Sequence, residues 1–308
     1  MNPMLKRIVV GAGLIALLAA VIWLDWKWRQ LETPWLLPHD FPVCLRGAPL
    51  TILTALLVVA GFLELARMCT AAGLPLLRVG GLLGSLAIAT LPLWRQFIGQ
   101  VVGWGGTNDL PLLTLGLVMM WLFAEQLIFH RTNQVLRRIG VTLLAVGYLG
   151  VCGAVLLGMR MRFGISAFVL FLLVVKFTDI GAYFVGSAVG RHKLIPWLSP
   201  GKSWEGLVGG LIVAGCVAVA YAALLNHFFD ETIFDFGQGV AWLPRAAFFG
   251  VVVGLFGQGA DLCESALKRD TGFKDSGRSV PGFGGVLDVI DSPLLSAPVG
   301  YLLLAALR

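Results

Sequence analysis

Charged residues are scarce in this chain. Asp, Glu, Lys and Arg together make up 13% of its 308 residues, whereas a soluble globular domain carries about 25%. Hydrophobic residues make up 58%, and the mean hydropathy is +0.86. Several apolar runs reach the roughly 20 residues that a helix needs to cross a bilayer. The shortage of charge therefore excludes an ordinary soluble domain and predicts a polytopic membrane protein.

Cysteine and histidine are also sparse, with five and four residues. The cysteines are scattered and form no Cys-x-x-Cys pair, which argues against a disulfide framework and a zinc site. No two histidines have the spacing of metal ligands, and no Gly-x-Ser-x-Gly nucleophile elbow occurs. These absences leave carboxylates, lysines and arginines as the candidates for chemistry.

Nine hydrophobic segments are long enough to cross a membrane, with boundaries loose by several residues. They cover 7–25, 47–67, 72–94, 110–130, 138–159, 164–190, 205–226, 244–268 and 286–307. The first segment follows Lys6 and Arg7, like a signal peptide, but it ends at Trp26, Lys27 and Trp28. That ending indicates an interface anchor and a retained helix. The sequence predicts an all-α polytopic fold of about nine transmembrane helices.

Loop cations predict how the chain is oriented, because cytoplasmic loops carry an excess of Lys and Arg. With the N-terminus inside, the cytoplasmic cations are Lys6, Arg7, Arg67, Arg78, Arg131, Arg137, Arg138, Arg191, Lys193, Lys202, Lys268, Arg269, Lys274 and Arg278. The opposite side holds fewer: Lys27, Arg29, Arg46, Arg95, Arg160, Arg162, Arg245 and Arg308. We therefore expect the N-terminus inside and the C-terminus outside. The loops 191–204 and 269–285 then face the cytosol, and the acidic stretch "DETIFDFG" faces out.

The stretch "SPGKSWEG" at 199–206 ends like a phosphate-binding loop. A Walker loop reads Gly-x-x-x-x-Gly-Lys-Ser, but Pro196 stands where its first glycine is required. The pattern instead predicts a Pro-Gly turn that presents Lys202 and Ser203, with Ser203 placed to cap a helix starting near Glu205. The glycines that follow, at 206, 209 and 210, are expected to pack closely. The alternative is an ordinary loop whose lysine reaches to the membrane interface.

Carboxylates occur inside the apolar runs of the second half. A charge at bilayer depth costs at least about 2.5–3.5 kcal/mol, so such residues are functional candidates by default. The candidates are Asp179, Asp261, Glu264, Asp288 and Asp291. An alternative for Asp179 is an ion pair with Lys176 within the membrane.

Helical spacing places several of these candidates on shared faces. Asp261, Ser265 and Lys268 recur at i, i+4 and i+7, with Glu264 adjoining, and Asp288 and Asp291 are three residues apart. Two such stripes that meet across a helix interface offer the hard oxygen ligands that Mg²⁺ prefers.

The segment 269–285 is rich in cations and glycine. Lys268, Arg269, Lys274 and Arg278 have the charge to neutralise a triphosphate, and glycines at 282, 284 and 285 allow backbone N–H groups to approach phosphate closely. The alternative is a solvated cytoplasmic loop that follows the charge rule. The carboxylates on both sides of the segment favour the phosphate interpretation.

These residues resemble the signature of the phosphatidate cytidylyltransferases, the CDP-diacylglycerol synthases. The C-terminal signature is matched by Ser265, Leu267, Lys268, Arg269, Lys274, Asp275, Pro281, Gly284, Gly285, Asp288 and Asp291. A second block is matched by Asp179, Ala182, Tyr183, Gly190, Arg191, Ser199, Pro200, Lys202, Ser203, Glu205 and Gly206. An Asp-Leu-x-Glu-Ser element matches at 261–265. Phe283 and Val289 depart from the family's His and Arg, whereas the metal-type aspartates are all present.

The resemblance implies transfer of CMP from CTP to phosphatidic acid, giving CDP-diacylglycerol and pyrophosphate. It implies one integral domain over 1–308, with generic membrane helices at 1–160 and the catalytic half at 164–308. The implied cofactor is Mg²⁺, with a second, monovalent cation left open, and its implied ligands are Asp261, Asp288, Asp291 and Glu264. The implied catalytic residues are Asp261, Asp288, Lys268 and Lys274. The implied substrate-binding residues are Lys202, Ser203, Glu205, Ser265, Arg269, Asp275, Gly284, Gly285 and Asp179.

The resemblance also implies where the protein works and what it meets. CTP would come from the cytosol and phosphatidic acid from the inner leaflet of a bacterial cytoplasmic membrane, with the active site facing the cytosol. Membrane lipids surround the protein, no nucleic acid is expected, and a homodimer is left open.

Other classes of protein compete with this interpretation. A transporter would also carry intramembrane carboxylates, but it is expected to show repeat symmetry or pairs of broken helices, and the sequence shows neither. A structural membrane protein would not need aligned carboxylates beside a basic glycine-rich loop. The paired-Asp pattern of CDP-alcohol phosphotransferases is absent. A polyprenol kinase or another lipid cytidylyltransferase is the nearest enzymatic alternative.

Overall fold

The computed structural model describes residues 3–28, 47–101, 105–229, 233–234 and 242–307. Most of the acidic stretch "DETIFDFG", predicted to be external, lies outside the described residues. The helices are α1 (Pro3–Trp28), α2 (Ala48–Ala71), α3 (Arg78–Ala89), α4 (Leu91–Val101), α5 (Leu110–Glu125), α6 (Val135–Ala145), α7 (Cys152–Phe163), α8 (Ile165–Val189), α9 (Trp204–Phe229), α10 (Trp242–Asp270) and α11 (Leu287–Leu307). A β-hairpin is formed by β1 (Lys193–Ile195) and β2 (Ser199–Ser203).

The predicted all-α polytopic membrane fold is confirmed. Within the described ranges, 8 helical segments are long and apolar enough to cross a membrane. The pair α3 and α4 is bent by 55° and makes a ninth span if the two helices count as one. The bend follows Thr90, and Pro92 lies just beyond it. Proline lacks an N–H donor and clashes with the preceding turn, which accounts for the break. The N-inside orientation stays a prediction.

Two of the spans contain π-helical stretches. Gln126–His130 extends α5, and Val146–Val151 joins α6 to α7 as one continuous span, Val135–Phe163. The amide of Gln126 donates to the carbonyl oxygens of Arg131 and Asn133, both at 3.0 Å, and so closes the end of its stretch. These contacts hold the turn at 131–134 against the end of the helix.

The chain forms two compact units. The first unit comprises Met1–Met161 and Thr271–Ile290, and the second comprises Arg162–Asp270 and Asp291–Arg308. The motif-rich segment after α10 therefore groups with the helices of the first half, although it follows the second unit in the sequence. The first four residues of α11 belong to the first unit, and the remainder of α11 belongs to the second.

The first unit packs α3, α5 and α6 around an apolar core. Its buried members include Leu77, Ile88, Val118, Leu122, Ile139 and Val146. Helix α1 is mostly exposed, and an ion pair ties its end to α7. Asp25 is 0% exposed, and its Oδ2 lies 2.5 Å from a guanidinium nitrogen of Arg160. A buried carboxylate requires such a partner.

The second unit packs α9 tightly between α8 and α10, and glycine makes the approach possible. A side chain at Gly209 would collide with Val185, and one at Gly210 would collide with the backbone of Thr178. Gly206 likewise lies against Gly186 of α8. The predicted close packing of these glycines is confirmed, and small residues serve this purpose at helix interfaces in membranes.

The hairpin corrects one local prediction. Pro200 and Gly201 lie inside β2 and do not form a turn, because the turn falls at 196–198. The predicted Pro-Gly turn was wrong. A two-stranded hairpin has only edge strands, and an edge strand tolerates a proline whose missing N–H points away from the partner.

Candidate functional site

Three carboxylates gather in the second unit. Asp261 and Glu264 are three residues apart on α10, and Asp291 lies in α11. One oxygen from each lies within 4.8 Å of the others. Glu264 is 1% exposed and Asp291 is also buried. Hard oxygen ligands at this separation suit Mg²⁺, which takes one or two carboxylates plus water and phosphate oxygens. In the described part of the chain, this is the group of acidic side chains that meets the spacing of a metal site.

Two lysines accompany the carboxylate group. The Nζ of Lys202 lies 2.7 Å from Oδ2 of Asp261 and also donates to the carbonyl oxygen of Gln258 at 3.2 Å. Lys268 forms an ion pair with Glu264, one helical turn away. Sequence analysis predicted both lysines as phosphate ligands. The structure brings both of them to the predicted metal ligands, where they offset part of the negative charge.

Asp179 of α8 joins this group through a glutamine. The Nε2 of Gln258 donates to Oδ1 of Asp179 at 2.8 Å, and Gln258 itself is buried. Sequence analysis missed Gln258. The signal in the sequence was a polar residue in an apolar run, three positions before Asp261. An amide that a membrane helix buries needs hydrogen-bond partners.

The hairpin and the start of α9 hold two more predicted residues. The N–H of Gly206 donates to Oγ of Ser203 at 3.1 Å, which confirms the predicted helix cap. Glu205 accepts from Nδ1 of His192 at 2.6 Å and from the His192 backbone N–H at 3.2 Å. His192, which sequence analysis set aside, therefore holds Glu205 against the hairpin.

Asp288 lies in the first unit, among the donors of its own loop. Its Oδ2 accepts from the backbone N–H of Ser276 at 2.9 Å, from Oγ of Ser276 at 2.8 Å and from the N–H of Gly285 at 2.7 Å. The last contact resembles the carboxylate of a capping box, which reaches back three residues at a helix start. Asp288 is not a member of the carboxylate group found in the described residues. Its role as a metal ligand stays a prediction.

A glutamate of the first half organises the same loop. Glu64 of α2 is 3% exposed. Its Oε1 accepts from Oγ of Ser279 at 2.7 Å and from the N–H of Val286 at 3.0 Å. Its Oε2 accepts from the N–H of Leu287 at 2.9 Å and lies 3.2 Å from Oγ of Ser276, whose single proton Glu64 shares with Asp288. These contacts to one buried carboxylate make Glu64 the anchor of residues 276–287.

Sequence analysis missed Glu64 because it treated the first half as generic membrane helices. The signal was present: a single carboxylate inside the apolar run of α2, which is the pattern that singled out the candidates of the second half.

Residues 271–286, between α10 and α11, form the signature loop. Its glycines make room for the carboxylates of Glu64 and Asp288. A side chain on Gly277 or Gly285 would collide with Glu64, and Gly284 has a φ of 104°, which favours glycine. The N–H of Gly284 donates to the carbonyl oxygen of Val280 at 3.1 Å, and the N–H of Gly285 to Asp288. Both amides are thus engaged within the loop, and their predicted contact with phosphate stays a prediction.

The remaining predicted residues lie outside these contacts. Lys274 and Asp275 are exposed in the first unit, and Arg269 is exposed at the end of α10. Ser265 is partly buried, next to Glu264. Phe283, which replaces the family's histidine, places its ring beside Gly11 of α1.

Comparison with known proteins gives a consistent result over nearly the whole chain. The model of the Cytidylyltransferase family matches residues 27–307. A protein of Bacillus subtilis (strain 168) named phosphatidate cytidylyltransferase is 32% identical over 271 residues, covering 86% of this chain and 92% of that protein. A protein of the same name from Staphylococcus saprophyticus is 32% identical over 263 residues, covering 85% and 93%. One from Haemophilus influenzae is 42% identical over 134 residues, covering 42% and 44%. The similarity includes the first half, where sequence analysis found only generic helices.

Proposed function

The chain belongs to the cytidylyltransferase family, and on that premise we propose that it transfers CMP from CTP to phosphatidic acid, giving CDP-diacylglycerol and pyrophosphate. The observation that carries the proposal is the group formed by Asp261, Glu264 and Asp291 with Lys202 and Lys268, set among membrane-spanning helices. Relatives named for this activity match more than four fifths of the chain.

The reaction forms one bond and breaks one bond at the same phosphorus. A phosphate oxygen of phosphatidic acid attacks the α-phosphorus of CTP and forms a P–O–P linkage. The bond between the α-phosphorus and the bridging oxygen of the β-phosphate breaks, and pyrophosphate leaves. Such transfers require positioning and charge neutralisation more than a covalent enzyme nucleophile. The group of three carboxylates and two lysines supports that chemistry.

We further propose that Asp261, Glu264 and Asp291 hold Mg²⁺. A bound divalent ion supplies positive charge that neutralises phosphate oxygens. The observation in favour is that their oxygens lie close together and that two of the three side chains are buried. Buried carboxylates need counter-charge, and a divalent ion would add to that of Lys202 and Lys268.

The lysines have a role of their own in the proposal. Lys202 and Lys268 each carry three N–H donors, of which phosphate oxygens are good acceptors. In the structure they pair with Asp261 and Glu264. When CTP binds, each ammonium would exchange part of this contact for a phosphate oxygen. The lysines would thereby hold the triphosphate beside the carboxylates.

A lipid substrate explains why such charged groups lie within membrane helices. The diacyl tails stay in the bilayer, so the attacking phosphate enters from the side of the inner leaflet. An open apolar groove of about 590 Å³ lies on the surface where α8 meets α9, beside Glu205, and its other lining residues include Val185, Val189, Val208 and Ile212. Its apolar lining suits an acyl chain and supports access by lipid. The loop charges support an active site that faces the cytosol.

The test is a transfer assay with CTP labelled at either the α- or the γ-phosphate. Purified protein in detergent, with phosphatidic acid, should move the α-label into lipid and release the γ-label in pyrophosphate. Diacylglycerol in place of phosphatidic acid is the control and should accept neither label. A γ-label that appears in lipid would identify a kinase, as in the polyprenol kinase alternative. Absence of α-label from lipid would contradict the proposal.

A further inference from the structure

A cavity of about 350 Å³ lies in the first unit beside the signature loop. Its walls come from the end of α2, the start of α3 and the segment after α10. The lining includes Arg67, Thr70, Arg78, Phe273 and Ser276. The two arginines were predicted only as cytoplasmic loop cations, and no function was predicted for the other three residues.

Among the described residues, the cavity is lined by two guanidinium groups and by no carboxylate. Arg67 and Arg78 are exposed, and within the described residues neither forms an ion pair with a carboxylate. Nη2 of Arg78 donates to Oγ1 of Thr70 at 3.2 Å, which directs its side chain along the cavity wall. Planar guanidinium groups match phosphate with paired N–H donors. The electrostatics of this cavity therefore favour an anionic, phosphate-bearing ligand.

The cavity lies next to the loop that donates hydrogen bonds to Asp288. Ser276 lines the cavity, and its hydroxyl lies within hydrogen-bond distance of both Asp288 and Glu64. Phe273 adds a partly buried aromatic wall. A ligand seated here would contact the residue that keeps the signature loop in place.

The size of the cavity limits what it can take. Ligand sites for small molecules span roughly 300–1,000 Å³, so this cavity is at the lower end. It suits a phosphate group with part of its ester, whereas the acyl chains of a diacyl lipid would have to remain outside.

We propose that this cavity is a phosphate-binding subsite for one of the two substrates. The proposal rests on the proposed function, because that reaction supplies two phosphate-bearing ligands. The phosphate comes either from the triphosphate of CTP or from the headgroup of phosphatidic acid. In both cases the arginines supply the positive charge and the N–H donors.

Steady-state kinetics of Arg67→Gln and Arg78→Gln test the subsite. Loss of one charged hydrogen-bond donor should raise KM for the bound substrate about tenfold, with kcat changed much less. Arg67→Lys keeps the charge but loses the paired donors, so its KM should lie between those of the wild type and Arg67→Gln. Arg137→Gln is the matched control, since Arg137 is an exposed arginine of α6 in the same unit and does not line the cavity.

KM measured separately for CTP and for phosphatidic acid identifies the source of the phosphate. A raised KM for CTP alone would assign the subsite to the triphosphate, and a raised KM for phosphatidic acid alone would assign it to the headgroup. Either result supports the subsite. Unchanged KM values for both substrates in both glutamine variants would overturn it.

A binding measurement separates failure of the subsite from failure of the proposed reaction. CTP, or a short-chain phosphatidic acid, should raise the thermal unfolding midpoint of the wild-type protein in detergent without any turnover, because a ligand that binds the folded state stabilises it. The glutamine variants should need about tenfold more of one ligand for the same rise, while unfolding at the wild-type midpoint without ligand. If the wild type shows no CMP transfer, the proposed reaction fails, and this shift still tests the subsite. A concentration dependence of the rise equal to that of the wild type, for both ligands in both variants, would overturn it.

Discussion

Lys202 of β2 and Asp261 of α10 form an ion pair with 2.7 Å between Nζ and Oδ2. The lysine belongs to the β-hairpin, and the aspartate belongs to the proposed metal group. Each therefore offsets the charge of the other. Charged groups that leave water are costly unless they are paired. Binding of CTP and Mg²⁺ would replace this internal pair with contacts from each partner to a ligand.

Replacement of Lys202 by Gln should lower CMP transfer at subsaturating CTP by about tenfold or more, because one charged contact to phosphate is lost. Initial rates of α-label transfer give the measurement. Lys193→Gln is the matched control, since Lys193 is an exposed lysine of β1 in the same hairpin. Equal loss in both variants would show that only the net charge of the hairpin matters and would contradict a specific role for Lys202.

Removal of the metal should abolish transfer, and Mg²⁺ should restore it. Glu264→Gln should lower turnover by about a hundredfold, which is typical for loss of a major electrostatic contact at an active site. It should also raise the Mg²⁺ concentration needed for half-maximal activity. Asp270→Asn, at the exposed end of the same helix, serves as the control. Full activity of chelator-treated wild-type protein would rule out the metal assignment.

Glu64→Gln tests the anchor of the signature loop. The amide keeps one acceptor but meets N–H donors with its own NH₂ group, so the variant should lose about 1–3 kcal/mol of stability. CMP transfer by the folded protein should fall as well, because the loop that donates hydrogen bonds to Asp288 loses its anchor. Glu125→Gln is the matched control, since Glu125 accepts from the N–H of Gly80 at 2.6 Å and does not contact the loop. If Glu64→Gln and Glu125→Gln transfer CMP at comparable rates, Glu64 has only a general structural role.

Asp288→Asn should lower turnover by about two decades, comparable to the loss of a major electrostatic contact. The Mg²⁺ dependence of the residual activity separates two explanations. A shifted Mg²⁺ requirement would support the predicted role as a metal ligand, whereas an unchanged requirement would support a role in ordering the loop through Ser276 and Gly285. Asp109→Asn, an exposed residue of the same unit, controls for charge removal. Turnover equal to that of the wild type would refute both roles.

Topology gives an independent test, because CTP is cytosolic. Lys202 and Lys274 should lie on the cytosolic side, as the loop charges predict. Single cysteines in the loops 191–204, 227–243 and 271–285, in a cysteine-free background, can be labelled on intact cells with an impermeant maleimide. Only the 227–243 cysteine should react before lysis. Labelling of either lysine-bearing loop from outside would contradict the proposed cytosolic site.

Local features of the sequence predicted much of this protein. In the described ranges, eight spans could be located because the thickness of a bilayer sets a minimum apolar length, and that length is a property of a continuous segment. The break between α3 and α4 lies inside the segment 72–94, which was predicted as one span. The shared face of Asp261 and Glu264 followed from helical periodicity, and the cap at Ser203 followed from its position before α9. The β-hairpin was missed, because Pro200 and Gly201 read locally as a turn, whereas pairing with β1 holds them in a strand.

The sequence by itself determined that the chain spans a membrane, which family it resembles and which residue types carry its charge, because length, composition and motif spacing are local. Only the tertiary structure decided which carboxylates meet. Asp291 joins Asp261 and Glu264, whereas Asp288, one turn earlier in the same helix, accepts hydrogen bonds from its own loop. Glu64 reaches donors more than 200 residues away in the chain. Such partners are chosen by packing and by the need to satisfy buried charge, and neither can be read from spacing along the chain.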